Sequence, residues 1–493
     1  MDALGKAVSF DHVRLKTGYS EVMPDDVSLH TRLSRNIPLR SPIVSAAMDT
    51  VTEYRLAIEI AKWGGIGFIH RNLPPEEQAF QVAQVKLHLN GRIDRPRTVK
   101  TTDTIERVLA YIREKKFAFD TFPVLDGDEK LAGMLTKTDF EFCTDPSLVV
   151  SEVMSRELVT ARCETTIDEA YNLMRRSKKK VLPLIDDNGR LCGMYVWQDV
   201  LRIKTGSGLP HNVDKNGNLR VGAAIGVGDK ALERVELLAR KKIDAVCIDT
   251  AHGDSRSVHE TLREIKRHYP DLDVVVGNVS EGASARRLVD AGADAIKIGQ
   301  GPGSICTTRV IAGIGCPQVT AIYQCEKAIR GSGVPLIADG GIRHSGDIPI
   351  AIGAGADSVM LGNLLAGTKE APGEITTYRG MRYKSYRGMG SIGALQSNLS
   401  NDRYGQKEPQ PKDRIVPEGV EGMVPYKDEI REVLIQLLGG LRKGMGYVGA
   451  ATIKELKEKA DFCSPVDMQE SHPHDVIITK EPPNYRITPK EEN

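Results

Sequence analysis

A cysteine followed by two threonines and an arginine closes a glycine-rich run, Gly299-Gln300-Gly301-Pro302-Gly303-Ser304-Ile305-Cys306-Thr307-Thr308-Arg309. Three glycines let the backbone turn sharply, so that carbonyl oxygens can converge on a cation and the Cys306 thiol can stand free as a nucleophile. Two more glycine-rich stretches, Ala338-Asp339-Gly340-Gly341-Ile342 and Leu361-Gly362-Asn363, suit a phosphate, because backbone N–H groups can reach an oxyanion where no Cβ intervenes. A nucleotide monophosphate fits such loops, with Asp339 placed to accept hydrogen bonds from ribose hydroxyls. The alternative for Asp339 is a helix cap or a turn.

These stretches need a scaffold that gathers them at one end. Short runs rich in Val, Ile and Ala recur at Ile37–Ala47, Gly65–His70, Arg220–Gly226, Ile243–Thr250, Asp273–Asn278, Asp294–Gly299, Pro335–Gly341 and Asp357–Asn363. Amphipathic segments of helical period lie between most of them. Asp229–Arg240 puts Ala231, Leu232, Val235 and Leu238 on one face, and Glu281–Ala291 does the same with Ala285, Leu288 and Val289. Eight strands alternating with helices predict an α/β fold, a (β/α)8 TIM barrel whose active site lies at the C-terminal ends of the strands. An open doubly wound sheet is the alternative. The cysteine loop follows the sixth strand, and the two phosphate candidates follow the seventh and eighth.

Residues 92–204 are too long for a connection between the second and third strands, so they form an inserted domain between barrel parts 1–91 and 205–493. The insertion repeats itself. Gly133 and Gly193, and likewise Asp139 and Asp199, stand sixty residues apart, which predicts two tandem β-α-β-β-α units. A second long segment, Tyr378–Pro425, is rich in Gly, Lys, Arg and Pro; a barrel loop of this length is expected to be a functional lid, followed by an amphipathic helix around Lys427–Leu438. The tail after Ala460 is expected to be extended and to pack on a neighbouring subunit.

Composition narrows the function classes. Lys and Arg number 67 against 66 Asp and Glu, a net charge of +1, which gives no electrostatic support for binding nucleic acid or a membrane surface. No apolar run approaches the roughly 18–20 residues that span a bilayer, and the start of the chain lacks a signal-peptide core, so a soluble, cytoplasmic protein is expected. Eight cysteines without a C-x-x-C pair or zinc spacing predict reduced thiols.

The motifs G-P-G-S-I-C-T-T-R, A-D-G-G-I, S-A-A-M-D-T-V-T-E at Ser45–Glu53 and Y-R-G-M-G-S at Tyr386–Ser391 occur in one order, and together they resemble the inosine-5′-monophosphate (IMP) dehydrogenase family. The resemblance runs from Gly18-Tyr19-Ser20 to Ile478-Thr479-Lys480. It implies that Cys306 adds to C2 of IMP, that NAD accepts the hydride, and that water releases xanthosine monophosphate (XMP). Arg403 and Tyr404 in a mobile flap over about residues 378–425 would activate that water, with Thr308 and Glu418 as a second proton relay. IMP contacts would come from Met48, Ser304, Asp339, Gly341, Gly362, Asn363, Tyr386, Gly388, Met389, Gly390 and Glu418. Those to NAD would come from Asp249, Thr250, Asn278, Gly299 and Gly301.

The resemblance further implies a potassium ion on the carbonyls of Gly301, Gly303 and Cys306, completed by Glu470, Ser471 and His472 of a neighbouring subunit in a homotetramer or octamer. The insertion resembles a pair of cystathionine-β-synthase-type (CBS) domains. A purine nucleotide effector would bind there at Thr136, Asp139 and Asp199, although Val196 stands where the second site needs a hydroxyl. Asn363 also departs from the family pattern, where a Ser commonly contacts phosphate; its amide can still donate. Gly222-Ala223-Ala224-Ile225-Gly226-Val227-Gly228 does not match the G-x-G-x-x-G fingerprint, so NAD is expected at the barrel mouth. Two other functions stay open: guanosine monophosphate reductase, and a nucleotide-sensing regulatory protein with an inactive barrel.

Overall fold

The computed structural model describes residues 7–89, 92–94, 96–115, 121–143, 145–205, 211–396, 403 and 415–464. The chain divides into two compact units, Met1–Lys86 with Leu209–Asn212 and Leu219–Asn493, and Leu87–Gly208 with Val213–Asn218.

The first unit is built on eight parallel strands: β1 (Ile43–Ser45), β2 (Ile66–Ile69), β3 (Gly222–Ile225), β4 (Ala245–Asp249), β5 (Asp273–Val279), β6 (Ala295–Ile298), β7 (Leu336–Asp339) and β8 (Ser358–Leu361). They close into a barrel, with Val359 of β8 opposite Ile43 of β1 and Gly222 of β3 opposite Phe68 of β2. The eight apolar runs correspond to these strands one for one. Both faces of a parallel strand are covered, which is why the runs read as continuous apolar stretches.

Val44, Ile66, Phe68, Ala224, Cys247, Val275, Ala295, Ile337 and Met360 pack the interior. Large and small residues alternate there. A Cβ at Gly222 would lie 2.5 Å from the Phe68 ring, so the glycine is what lets that ring fill the core. Outside the barrel, α1 (Tyr54–Lys62), α2 (Pro75–Lys86), α3 (Asp229–Arg240), α4 (Arg256–His268), α5 (Gly282–Asp290), α6 (Gln318–Ile329), α7 (Asp347–Gly353) and α8 (Ile430–Val448) follow the strands. Helix α3 buries Ala231, Val235 and Leu238 along the face that the sequence periodicity marks.

Two elements differ from the sequence reading. Helix α8 continues through Gly439 and Gly440 to Val448, where local propensity suggests a stop. Tertiary packing overrides it: a Cβ at Gly440 would lie 2.4 Å from Ser345 Cβ, and one at Gly444 would lie 2.9 Å from Pro349, so the glycines let α8 lie close on the start of α7. The segment read as an irregular lid carries a three-stranded antiparallel sheet, β9 (Ile375–Tyr378), β10 (Met381–Arg387) and β11 (Glu421–Pro425). Its polar residues hide the strand pattern. Lys384 of β10 is buried, its ammonium donating to the carbonyls of Thr368 at 3.0 Å and Ala371 at 2.5 Å.

The second unit holds two three-stranded sheets in the order β-α-β-β-α each, with separate cores around Phe122, Val124 and Leu135 and around Leu182, Leu184 and Tyr195. The expectation of reduced thiols fails here. Cys163 and Cys192 form a disulfide with Cα atoms 5.8 Å apart. They follow or lie in the two outer strands and meet near the end of the central one, where Ile185 pairs with Arg162 on one side and Leu191 on the other. Spacing along the chain carries no sign of that meeting. Cys306 is among the free cysteines.

Candidate active site

The loop after β6 is shaped by its glycines. Gly299 has φ +147°, and a Cβ there would lie 2.1 Å from the Asp339 carbonyl oxygen, so the backbone after β6 presses against that after β7. Gly299→Ala should therefore force the two loops apart. It is expected to cost about 2–4 kcal/mol, read as an earlier midpoint in urea unfolding, and a midpoint equal to wild type would show that the loops yield freely.

Further along this loop Cys306 N–H donates to Gly303 O at 3.1 Å. The Cys306 thiol donates to Thr308 Oγ1 at 3.2 Å, and the Thr308 hydroxyl donates to Glu418 Oε2 at 2.7 Å. This chain can carry a proton from the thiol side to a carboxylate. Backbone crossings hold it in place: Thr307 N–H donates to Glu418 O at 3.0 Å, Val420 N–H to Ile305 O at 3.0 Å, and Glu418 N–H to Gly390 O at 3.0 Å. Three segments meet here because two of them carry glycine; a Cβ at Gly388 would lie 3.0 Å from Ile305 O and one at Gly419 3.2 Å from the same oxygen.

A second cluster forms at the ends of β4, β5, β6 and β7. Lys297 is buried, with its ammonium 2.5 Å from Asp339 Oδ2 and 3.2 Å from Asp249 Oδ1, and it donates to Asn278 Oδ1. Arg403 donates to Asp249 Oδ2, and its backbone oxygen accepts from Ala251 N–H at 3.0 Å. Burial opposes ionisation of Asp249, but the charges of Arg403 and Lys297 outweigh it and hold the carboxyl below its ordinary range. Burial likewise opposes charge on Lys297, and Asp339 and Asp249 outweigh it, raising the ammonium above its ordinary value.

The third cluster joins β8 to β10. A Cβ at Gly362 would lie 3.1 Å from Tyr386 Oη and 3.3 Å from Met48 Sδ. Burial pushes the Tyr386 phenol up to about 12, with the Ser304 hydrogen bond pulling the other way, so it is a neutral hydroxyl at physiological pH. Arg387 next to it grips Asp49, with 2.6 Å between Nη2 and Oδ2.

Residues 7–474 match the family of IMP dehydrogenase / GMP reductase domains. The chain belongs to this family. Curated relatives named inosine-5′-monophosphate dehydrogenase include those of Aquifex aeolicus, 50% identical, and Escherichia coli K12, 46% identical, each aligned over 98% of both chains. That of Bacillus subtilis is 44% identical over 98% of both. A solved structure of a cysteine-to-alanine variant of Trypanosoma brucei GMP reductase, in complex with guanosine 5′-monophosphate, superposes with TM-score 0.84 at 36% identity over 96% of this chain and 98% of its own.

Within the IMP dehydrogenase / GMP reductase frame, the structure brings Cys306, Thr308 and Glu418 together, gathers Asp249, Asn278 and Asp339, and sets Met48, Gly362, Ser304 and Tyr386 side by side. Gly388 and Gly390 lie against the strand-like crossing at Glu418–Val420 beside Met389, which is buried. Thr250 turns its hydroxyl away to Gly277 O at 3.0 Å, so its side chain serves the loop. Gly341 has φ +82° and Pro302 and Phe10 pack on it; Asn363 opens the short helix Asn363–Ala366. Tyr404, Glu470, Ser471 and His472 lie outside the described residues. Sequence reasoning missed Lys297. Its one signal is a charged residue inside the apolar strand Ala295-Ile296-Lys297-Ile298, where burial demands a partner.

Proposed function

We propose that the chain oxidises IMP to XMP with NAD through a covalent adduct on Cys306. The observation that carries the reading is the Cys306–Thr308–Glu418 hydrogen-bonded chain beside the phosphate- and ribose-type loops. Cys306 sulfur adds to purine C2, and its proton passes towards Glu418. NAD supplies the acceptor for the hydride that leaves C2, and Asp249 and Asn278 offer it a carboxylate and an amide. Water then attacks C2, one of its protons going to N3 and the other to solvent as the C–S bond breaks, and the sulfur recovers its own proton from the Glu418 side. Asp339 accepts from the ribose hydroxyls, and the loops at Gly341, Gly362 and Asn363 take the phosphate.

Arg403 favours oxidation with hydrolysis over the reductive reaction of the GMP reductase relative. Its guanidinium stands on Asp249, the carboxylate assigned to the cofactor, so a water-orienting donor and the cofactor use one position in turn. Following absorbance of NADH with IMP and NAD, against guanosine monophosphate with NADPH, tests the assignment. NADPH consumption without NADH formation would assign the chain to the reductase.

The potassium reading uses the backbone carbonyls of Gly301, Gly303 and Cys306, neutral donors on a loop where Gly303 O also accepts from Cys306 N–H at 3.1 Å. That donor set suits potassium, whose hydration shell carbonyl oxygens replace. Assembly as a tetramer or octamer would complete the site. Among the described residues no helix is long and apolar enough to cross a membrane.

We assign the second unit to the CBS type and to binding of a purine nucleotide effector. Thr136 N–H and Oγ1 both donate to Asp139 Oδ2, at 2.6 and 2.9 Å, at the start of the helix Lys137–Glu141. The pair caps the helix, and a ribose bound here would take its hydrogen bonds from these two groups, with Asp199 in the matching position of the repeat. Replacing residues 92–204 by a short flexible linker is expected to spare turnover and abolish any effect of ATP or GTP. A folded but inactive deletion variant at saturating IMP and NAD, or one that responds to nucleotides as the intact protein does, would refute this division of labour.

A further inference from the structure

Lys297 is 2% exposed in its side chain. An ammonium in such a place is costly unless opposite charge and hydrogen bonds replace its hydration. Strand register explains how it reaches them. Asp249 of β4 pairs with Gly277 of β5, and Gly277 pairs with Lys297 of β6. A Cβ at Gly277 would lie 2.6 Å from Lys297 Cβ, so the glycine opens a lane across β5 through which the lysine reaches Asp249. The same ammonium meets Asp339 of β7 on its other side. It also orients an amide: Asn278 accepts from Lys297 through Oδ1, which turns Nδ2 to Asp339 Oδ2 at 2.9 Å and to Gly299 O at 2.7 Å.

We propose that Lys297 is a positioning residue that ties Asp249 and Asp339 to one ammonium, so that a ligand on either carboxylate changes affinity at the other. The proposal rests on the functional reading above, in which Asp339 faces the IMP ribose and Asp249 the cofactor. Ribose hydroxyls donating to Asp339 compete with Lys297 for its oxygens, and the ammonium's field then falls more heavily on Asp249. In a dry interior, charges at these distances interact far more strongly than in water. Asp249 is thereby held ionised and oriented after Arg403 leaves it. Linkage makes the effect reciprocal.

Equilibrium binding of IMP and NAD, singly and together, tests this in a Cys306→Ala background where no turnover intervenes. Saturating IMP should tighten NAD binding about five- to tenfold. Asp249→Asn should weaken IMP binding severalfold although Asp249 is assigned no contact with IMP. Lys297→Met should leave the two ligands independent, while Lys297→Arg, which keeps the charge, should restore the coupling. A merely structural lysine would shift stability without this cross-effect. If Lys297→Met does not fold, the Asp249→Asn arm decides alone. Unchanged IMP affinity in Asp249→Asn, or full coupling in a folded Lys297→Met, overturns the proposal while leaving the functional reading intact. A Cys306→Ala protein that binds neither ligand overturns the functional reading and this proposal with it.

Discussion

Replacing Cys306 with alanine is expected to lower turnover by about three orders of magnitude or more while IMP still binds. In the proposed mechanism the Cys306 sulfur forms and breaks the bond to C2, and no neighbouring group of the relay can substitute for it: Thr308 is a hydroxyl already committed to Glu418 at 2.7 Å. Binding is expected to survive because the residues proposed for the phosphate and ribose lie on other elements, Asp339 at the end of β7, Gly362 after β8 and Tyr386 on β10. Mass spectrometry of wild-type enzyme quenched during turnover should find a nucleotide adduct on the peptide that carries Cys306. Retained NADH production by the alanine variant would sink the covalent mechanism.

The second large effect is expected for Arg403→Ala, which should slow hydrolysis by about 10²–10⁴-fold and leave hydride transfer nearly unchanged. Arg403 donates to Asp249, and on the proposed assignment of that carboxylate to the cofactor the work of Arg403 falls after NADH has formed. An arginine is an unusual base because its free pKa exceeds about 12. In this pose the Arg403 guanidinium is an N–H donor to Asp249, and the proposed role is that of a donor that orients water. The expected trace is a rapid burst of NADH near one equivalent per site, followed by a slow steady state. Equal slowing of both phases would remove Arg403 from the water-activating role.

Much of this architecture was legible along the chain. The eight barrel strands follow from continuous apolar runs, because both faces of a parallel strand are buried, and helix α3 follows from apolar residues recurring every 3.6 positions; neither needs knowledge of the partner. The glycine loop and Cys306 were legible for a related reason: a sharp turn followed by a nucleophile at a strand end is a local pattern with a chemical meaning. The family motifs then assigned roles to residues that periodicity could not distinguish from caps and solvated loop charges.

What only the tertiary structure decided are the encounters between residues far apart in sequence. Arg403 meets Asp249 across 154 positions, Lys297 meets Asp339 across 42, and Cys163 meets Cys192 across 29. Helix α8 runs on past Leu438 because glycines at 440 and 444 pack on Ser345 and Pro349, and it ends at Gly449, whose φ of +78° caps it. The common physical reason is register. Asp249, Gly277 and Lys297 are ordinary residues on three separate strands until the barrel closes and sets them side by side, and only then does a missing side chain at Gly277 open the path by which one buried charge can serve two carboxylates.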